Sequence, residues 1–255
     1  MATNYSIIET TVGGENFRII KTLASNIKPV IINKPVVDTT YYGINGGYFL
    51  SDDYSEAPTG GVGIHWNKGE SGNHEYNGTS SSDAVSRGTF FTFNDGGTIK
   101  AGIWRAKSVT DLKNQLGTSV DFLCMIGGGD LALSLSDSAW ETNVFNDEDF
   151  TVTDGYFWGL YDARRTGLGF KVENSKWYAY LAVSTEWNGC SLFQLRALFQ
   201  SLECSNAIHL DGSGSTQMRV KLDNGTILED DGYDPSSPLA PPRYVWNMIR
   251  LTYIT

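Results

Sequence analysis

One carboxylate set in a loop of glycines and hydroxyl residues is the clearest chemical feature of this sequence. A short stretch of alternating apolar residues, 207–210, leads directly into Asp211. The residues that follow are Gly212, Ser213, Gly214, Ser215 and Thr216. Glycines allow a ligand to approach the main chain closely, and consecutive N–H groups in such a turn can form an anion-binding nest. A carboxylate beside an anion cradle predicts a reactive site. The alternative is a surface hairpin or loop, for which the same residue types are common.

The segment before this loop indicates how the carboxylate is held. Ser191 and Gln194 form a capping-box pattern that predicts a helix start. Apolar residues then recur at helical spacing, which predicts one core-facing side: Leu192, Leu195, Leu198 or Phe199, and Leu202. The predicted order is helix, short strand, loop and a further strand over 218–222. Ligands commonly bind beyond the carboxyl end of a buried strand.

A second strand end resembles the first. Asn45 follows a short apolar segment and is itself followed by Gly46 and Gly47. Its side-chain amide both donates and accepts hydrogen bonds, which suits a sugar hydroxyl or an oxyanion. The alternative is a Gly-Gly turn with Asn45 in the left-handed conformation.

Two arginines, Arg164 and Arg165, immediately precede a predicted strand over 167–172. A guanidinium group binds phosphate or carboxylate through two parallel hydrogen bonds. The alternative is a solvated pair of charges on an edge strand, so this motif alone does not identify a phosphate site.

Composition limits the class of protein. The chain has 255 residues, of which 40% are hydrophobic and 19% charged, which indicates a compact globular fold. We expect a single domain over residues 1–255. The formal net charge of −10 argues against a nucleic-acid partner. An anionic substrate would therefore need local arginines or backbone amides.

We expect no metal or other cofactor at the site. The three cysteines and three histidines show no metal-ligand spacing, and the cysteines are expected to be free thiols. The oxygen-rich segment 147–154 is a candidate structural calcium site, although it lacks the glycine of an EF-hand loop at its sixth position.

The sequence shows no secretion signal in residues 1–20 and no apolar run of membrane-spanning length. As written, it predicts a cytoplasmic protein without a membrane partner. A phage protein that rides on a virion or leaves the cell by lysis would have the same features. The oligomeric state is left open.

The hydropathy pattern predicts an α+β fold of mixed, largely antiparallel sheets with a few packed helices. Helices are expected over 108–117 and 191–204. Strands are expected over 17–22, 30–32, 42–44, 61–66, 89–93, 99–104, 122–126, 167–172, 177–183, 207–210, 218–222 and 245–253.

Five motifs together resemble the phosphodiester glycosidase family, which is the family of the lysosomal uncovering enzyme and of bacterial and phage proteins. They are 43–49, 165–169, 188–192, 208–216 and 242–247, in order along the chain. The loop after Leu210 is the most specific of them. Ser213 stands where the family usually has glycine, and Gln194 where it commonly has an acidic residue. Tyr244 stands where the family's C-terminal motif has proline.

The resemblance implies hydrolysis of a sugar–phosphate bond in a sugar phosphodiester or phosphoglycan. It implies that Asp211 acts as base or nucleophile, with Arg165 and Asn45 as further catalytic residues. The implied substrate-binding residues are Thr166, Gly46, Gly47, Gly212, Ser213, Gly214, Ser215, Thr216 and Arg243. Glycosidases usually need two carboxylates, because an alkoxide must be protonated as it leaves. Phosphate leaves as a stable anion, so one carboxylate and a phosphate clamp would suffice.

Two other functions remain open. Aromatic residues form 13% of the chain, including seven tryptophans, which also suits a non-catalytic carbohydrate-binding module of a phage or cell-surface particle. A structural, β-rich assembly subunit is the third alternative.

Overall fold

The structure is a computed structural model that describes residues 4–148, 161–232 and 241–253. The strands are β1 (Tyr5–Val12), β2 (Glu15–Leu23), β3 (Ile27–Lys34), β4 (Gly43–Asn45), β5 (Phe49–Leu50), β6 (Gly60–Gly61), β7 (His65–Asn67), β8 (Arg87–Asp95), β9 (Thr98–Ala106), β10 (Asp121–Gly127), β11 (Gly129–Asp130), β12 (Thr166–Glu173), β13 (Lys176–Ser184), β14 (Asn206–His209), β15 (Met218–Lys221), β16 (Ile227–Asp230) and β17 (Val245–Leu251). The helices are α1 (Val109–Leu116), α2 (Asp137–Trp140), which continues into a π-helical turn (Glu141–Phe145), and α3 (Leu192–Ser201).

Three larger sheets organise the described residues. A six-stranded sheet has the order β1-β2-β13-β12-β14-β11, a five-stranded sheet the order β16-β15-β4-β17-β3, and a four-stranded sheet the order β7-β10-β8-β9. Within the described residues, every pairing between these strands is antiparallel. The predicted α+β class, with largely antiparallel sheets and few helices, is confirmed.

The six-stranded sheet lies at the centre because both of its faces are apolar. Ile19 and Ile20 are adjacent on β2 and fully buried, so they point to opposite faces. Ile19 belongs to the cluster formed with α3 and the π-helical turn. Ile20 belongs to the cluster shared with the five- and four-stranded sheets. The sheet is therefore a middle layer between helices and the other two sheets.

Helix α3 packs on strands β12 and β14, and its start and its core-facing side agree with the sequence prediction. The capping box between Ser191 and Gln194 is present. The Phe199 ring lies directly on Gly167 and Gly169 of β12, where an added Cβ would come within 2.6 and 2.7 Å of ring carbons. The glycines of this motif thus allow close contact between helix and strand.

The chain passes from one sheet to another through the loop that carries Asp211. Strand β14 belongs to the six-stranded sheet, and β15, which follows the loop, belongs to the five-stranded sheet. Leu210 N–H donates to the Thr166 carbonyl at 2.9 Å, and Asp211 N–H donates to the Gly46 carbonyl at 3.3 Å. The ends of β4, β12 and β14 therefore meet at this loop.

Several elements differ from the sequence prediction. Strands β1 and β16, helix α2 and the π-helical turn were not predicted, because each is short or mixes polar and apolar residues. The expected strand over 61–66 is split into β6 and β7. The Trp246 ring lies against Gly61, where an added Cβ would be 2.2 Å from a ring carbon. All three cysteines are free and buried, as expected.

None of the helices among the described residues is long and apolar enough to cross a membrane.

The contact between Phe199 and Gly169 gives a stability prediction. We expect Gly169→Ala to lower the free energy of unfolding by about 1–3 kcal/mol, because the new methyl group overpacks the interface. Urea denaturation monitored by tryptophan fluorescence measures this. Gly60→Ala is the matched control, since no atom lies within 4 Å of its added Cβ. Equal midpoints for Gly169→Ala and the unmodified protein would contradict the prediction.

Candidate active site

Asp211 is half-buried in the crossover loop beyond β14. Its Oδ1 accepts a hydrogen bond from Gly212 N–H at 3.0 Å. Burial raises the pKa of Asp211 to about 6, against the opposing effects of the Ser215 hydroxyl and the Arg243 charge. Among the described residues, no cationic nitrogen lies within 4.0 Å of its carboxylate. Within the part of the chain that the structure describes, this carboxylate is therefore held without an ion pair.

Arg243 reaches the same loop from the segment before β17. Its Nη1 lies 3.5 Å from Ser215 Oγ, and its guanidinium carbon lies 3.8 Å from the centre of the Tyr54 ring. Gly214 faces it so closely that an added Cβ would be 3.0 Å from the guanidinium carbon. Within the described parts of the chain, Arg243 also has no carboxylate partner within 4.0 Å. The loop thus brings together the Asp211 carboxylate and the Arg243 guanidinium, which do not form an ion pair with each other.

Most backbone N–H groups of the loop are already bonded to the protein. Ser213 N–H donates to the Arg164 carbonyl at 2.7 Å, and Ser215 and Thr216 N–H complete a 3₁₀ turn at 3.1 Å each. Together with the Gly212 bond to Asp211, this leaves Gly214 N–H as the loop amide without an acceptor among the described residues. The arrangement thus offers an anion one amide and one guanidinium group.

Ser213 has a left-handed backbone conformation, with φ of +56°. Glycine adopts this conformation without steric cost, whereas a non-glycine residue pays for it. This geometry explains why glycine suits the position in the family that the chain resembles.

Asn45 and Thr166 lie directly beneath the loop and have no exposed surface. Asn45 Nδ2 donates to the Asp211 carbonyl at 2.8 Å. Its Oδ1 accepts from Thr166 Oγ1 at 2.8 Å and from Gln217 N–H at 3.0 Å. Thr216, also fully buried, has its hydroxyl 3.3 Å from that of Thr166. These side chains fix the loop from below.

Gly46 and Gly47 are needed for close packing between strand ends. An added Cβ at Gly46 would lie 2.0 Å from Asn247 Oδ1, and one at Gly47 would lie 2.8 Å from the Gly127 carbonyl oxygen. At Gly212 it would lie 2.7 Å from the Arg164 carbonyl oxygen. These three glycines accordingly let separate segments approach one another.

Arg165 is buried beside the site and is anchored to the main chain. Its Nε donates to the Cys190 carbonyl at 3.0 Å, and its Nη2 donates to the Tyr161 carbonyl. Burial lowers the pKa of His209 and the positive charge of Arg165 lowers it further, whereas the same charge opposes the rise that burial causes in the pKa of Tyr48.

Tyr48 and His209 form a hydrogen-bonded pair that the sequence analysis did not select. The Tyr48 hydroxyl lies 2.7 Å from His209 Nδ1. Burial, with the charges of Arg165 and Arg87, lowers the pKa of His209 to about 3, so the imidazole is neutral at physiological pH. Burial raises the pKa of Tyr48, and the negative charge of Asp211 raises it further.

Strand periodicity offers a signal for one of these residues. His209 and Asp211 are two positions apart, so a continued strand places them on the same face. Tyr48 lies within the motif 43–49 and has no such signal. Arg87 is distant in sequence from every motif, and only the tertiary structure brings it near His209.

The described residues contain no group of three or more histidine, cysteine, aspartate or glutamate side chains that could hold a metal ion. Most of the candidate calcium segment 147–154 lies outside the described residues. Within it, the Glu148 carboxylate is buried and accepts hydrogen bonds from Gly88 N–H at 2.6 Å and Asp130 N–H at 2.9 Å. The calcium site stays a prediction.

Comparison with known proteins adds a family and a fold. A family model described as phosphodiester glycosidase matches residues 38–252. The search of curated proteins gave no match. A solved zebrafish structure, the N-acetylglucosamine-1-phosphodiester alpha-N-acetylglucosaminidase catalytic domain auto-inhibited by its pro-peptide, is similar at a TM-score of 0.63 and 18% identity. That comparison covers 99% of this chain and 83% of the zebrafish chain. A hypothetical protein from Synechocystis has a TM-score of 0.49 and 16% identity, with 96% of this chain and 61% of that chain covered.

The family match spans most of the chain, and the zebrafish structure shares its fold. The five motifs identified in the sequence fall within the matched residues. This chain belongs to the phosphodiester glycosidase family.

Proposed function

We propose that this protein hydrolyses the bond between a sugar and a phosphate in a glycosyl phosphodiester. The observation that carries the proposal is that the half-buried Asp211 carboxylate and the Arg243 guanidinium, which contacts Ser215, meet at one loop, with neither in an ion pair among the described residues. Burying unpaired charges costs folding free energy. A substrate with an electrophilic carbon and an anionic phosphate would satisfy both groups.

In the proposed reaction Asp211 acts at the anomeric carbon. As a general base it accepts one proton from water while the remaining hydroxide bonds to that carbon. As a nucleophile it would bond to the carbon first, and water would then release the sugar. In both routes the bond between carbon and phosphate oxygen breaks, and its electron pair stays on the phosphate. The products are a free sugar and a phosphate monoester.

Arg243 and Gly214 N–H are the proposed phosphate-binding groups. A fixed guanidinium group and amide stabilise the negative charge that gathers on the leaving phosphate. Because phosphate leaves as an anion, the proposal requires no second carboxylate as a proton donor. This fits a loop over residues 211–216 whose acidic side chain is Asp211.

The proposal gives different tasks to the other predicted site residues. Asn45 and Thr166, being fully buried, act as positioning residues that hold Asp211 in place. Arg165 and the hydrogen-bonded pair of Tyr48 and His209 are the proposed contacts for sugar hydroxyls. Ser213 and Ser215 add hydroxyl groups on the loop itself.

Removal of the carboxylate is the direct test of the catalytic proposal. We expect Asp211→Asn to lower kcat for a sugar phosphodiester, such as a UDP-sugar or a teichoic-acid fragment, by about 10²–10⁴-fold. Release of free sugar is the readout, and Asp95→Asn in the exposed β8–β9 turn is the control. Residual activity above about 1% of the unmodified protein would refute the role of Asp211. Sugar-phosphodiester binding without any sugar release by the unmodified protein would favour the carbohydrate-binding alternative.

The pKa of Asp211 predicts the pH dependence of the reaction. Burial places this pKa at about 6, and the carboxylate must be ionised to act as base or nucleophile. We expect kcat/KM to rise about tenfold per pH unit below the pKa and to level off above it. A pH profile with a sugar phosphodiester measures this. A flat profile across the acidic range would contradict the proposal.

The raised pKa of Asp211 also predicts how the free energy of unfolding changes with pH. The change has the opposite sign from that of a salt-bridged carboxylate, because a salt bridge lowers the pKa. Between about pH 4 and pH 6 the folded state keeps a proton that the unfolded chain has lost, so rising pH lowers the free energy of unfolding. Asp211→Asn removes this cost. We expect the variant to be more stable than the unmodified protein by about 1–3 kcal/mol at pH 7, and nearly equal at pH 4. Denaturant titrations at both pH values measure the difference, and a variant less stable at pH 7 would contradict the assignment.

A further inference from the structure

We propose that Tyr54 is a positioning residue that holds the Arg243 guanidinium against the Asp211 loop, and so sets the affinity of the site for the phosphate of its substrate. This inference rests on the proposed function. Tyr54 lies outside all of the sequence motifs, in the hairpin loop between β5 and β6.

The geometry of the contact supports this role. The guanidinium carbon of Arg243 lies 3.8 Å from the centre of the Tyr54 ring, the distance of a stacked cation–π pair. The loop also contacts this group, with Gly214 and Ser215 next to the guanidinium. Arg243 thus contacts both an aromatic ring and the loop, without a carboxylate partner in the described part of the chain.

The Tyr54 loop is anchored independently of the ring. Tyr244 N–H donates to the Tyr54 carbonyl at 2.9 Å. Asp53 Oδ1 accepts from Ser55 N–H at 2.8 Å and from the Ser55 hydroxyl at 2.7 Å. Thr59 N–H closes the loop on the Leu50 carbonyl at 3.0 Å. Replacement of the Tyr54 side chain therefore leaves the backbone contact with Tyr244 in place.

The energetic reason is pre-organisation. A free arginine side chain loses considerable rotamer freedom when it binds an anion, and fixing it beforehand improves affinity. Tyr54 is 47% exposed, so burial in the core does not explain why an aromatic residue stands at this position. An aromatic ring is what the contact requires, whereas the phenolic hydroxyl is not part of it.

The test measures the affinity for inorganic phosphate by calorimetric titration, alongside kcat and KM for a sugar phosphodiester. We expect Tyr54→Leu to weaken phosphate binding by about 5- to 20-fold and to raise KM more than it lowers kcat. Tyr54→Phe keeps the ring and should stay within about twofold of the unmodified protein. In an Arg243→Ala background, Tyr54→Leu should have no further effect on the phosphate affinity.

Tyr41 provides a matched control. Tyr41 is 38% exposed, and the centre of its ring lies 4.8 Å from the guanidinium carbon of Arg250. It therefore forms a cation–π contact elsewhere on the five-stranded sheet. Tyr41→Leu should leave the phosphate affinity unchanged. Melting temperatures of all variants show whether each is folded.

The outcomes separate this inference from the proposed function. Hydrolysis by the unmodified protein with equal phosphate affinity in Tyr54→Leu would overturn the inference alone. An equal loss from Tyr54→Leu in the presence and absence of Arg243 would also overturn it, because Tyr54 would then act without the guanidinium. Phosphate binding that depends on both residues, without sugar release, would support the inference and refute hydrolysis. A protein that neither binds phosphate nor releases sugar would refute both.

Discussion

A single buried amide connects the parts of this protein on which the site depends. Asn45 ends β4, and its side chain bonds to the Asp211 carbonyl, the Thr166 hydroxyl and the Gln217 N–H. These partners belong to the six-stranded sheet, the crossover loop and the approach to the five-stranded sheet. Any buried polar group that lost its partner there would be left unsatisfied, at a cost of roughly 1–3 kcal/mol. The network therefore fixes where the Asp211 loop leaves one sheet and enters the next.

The Asn45 network explains how the loop can contain two features that each lower the stability of the fold. Asp211 is partly desolvated without an ion pair in the described residues, and Ser213 adopts a left-handed conformation. Both features cost folding free energy. A site keeps such features when the surrounding structure determines them, and here the buried amide network and the loop's own 3₁₀ turn do so. Functional sites are where local rules of stability are commonly broken.

Much of the fold could be predicted from the sequence, because its strongest patterns are local. The helix start at Ser191, the strand before Asp211 and most longer strands follow from capping chemistry and hydropathy. Strand β1 and the π-helical turn (Glu141–Phe145) could not be predicted, because their burial depends on distant partners. The same limit applies to the site. Asp211 stands out through its loop, whereas Tyr54 reaches the site only through its tertiary contact with Arg243.

The glycines of the family motifs illustrate the difference between a recognisable pattern and its physical cause. The family resemblance implies that Gly46, Gly47 and Gly212 bind substrate. In the structure an added Cβ at each would meet protein atoms of another segment, so close packing is one physical cause of these glycines. Gly214 is different, because the group that approaches it is the Arg243 guanidinium. A glycine-rich motif at a candidate active site can therefore reflect how closely the surrounding segments pack. The two proposed reactive charges, Asp211 and Arg243, meet at this closely packed loop.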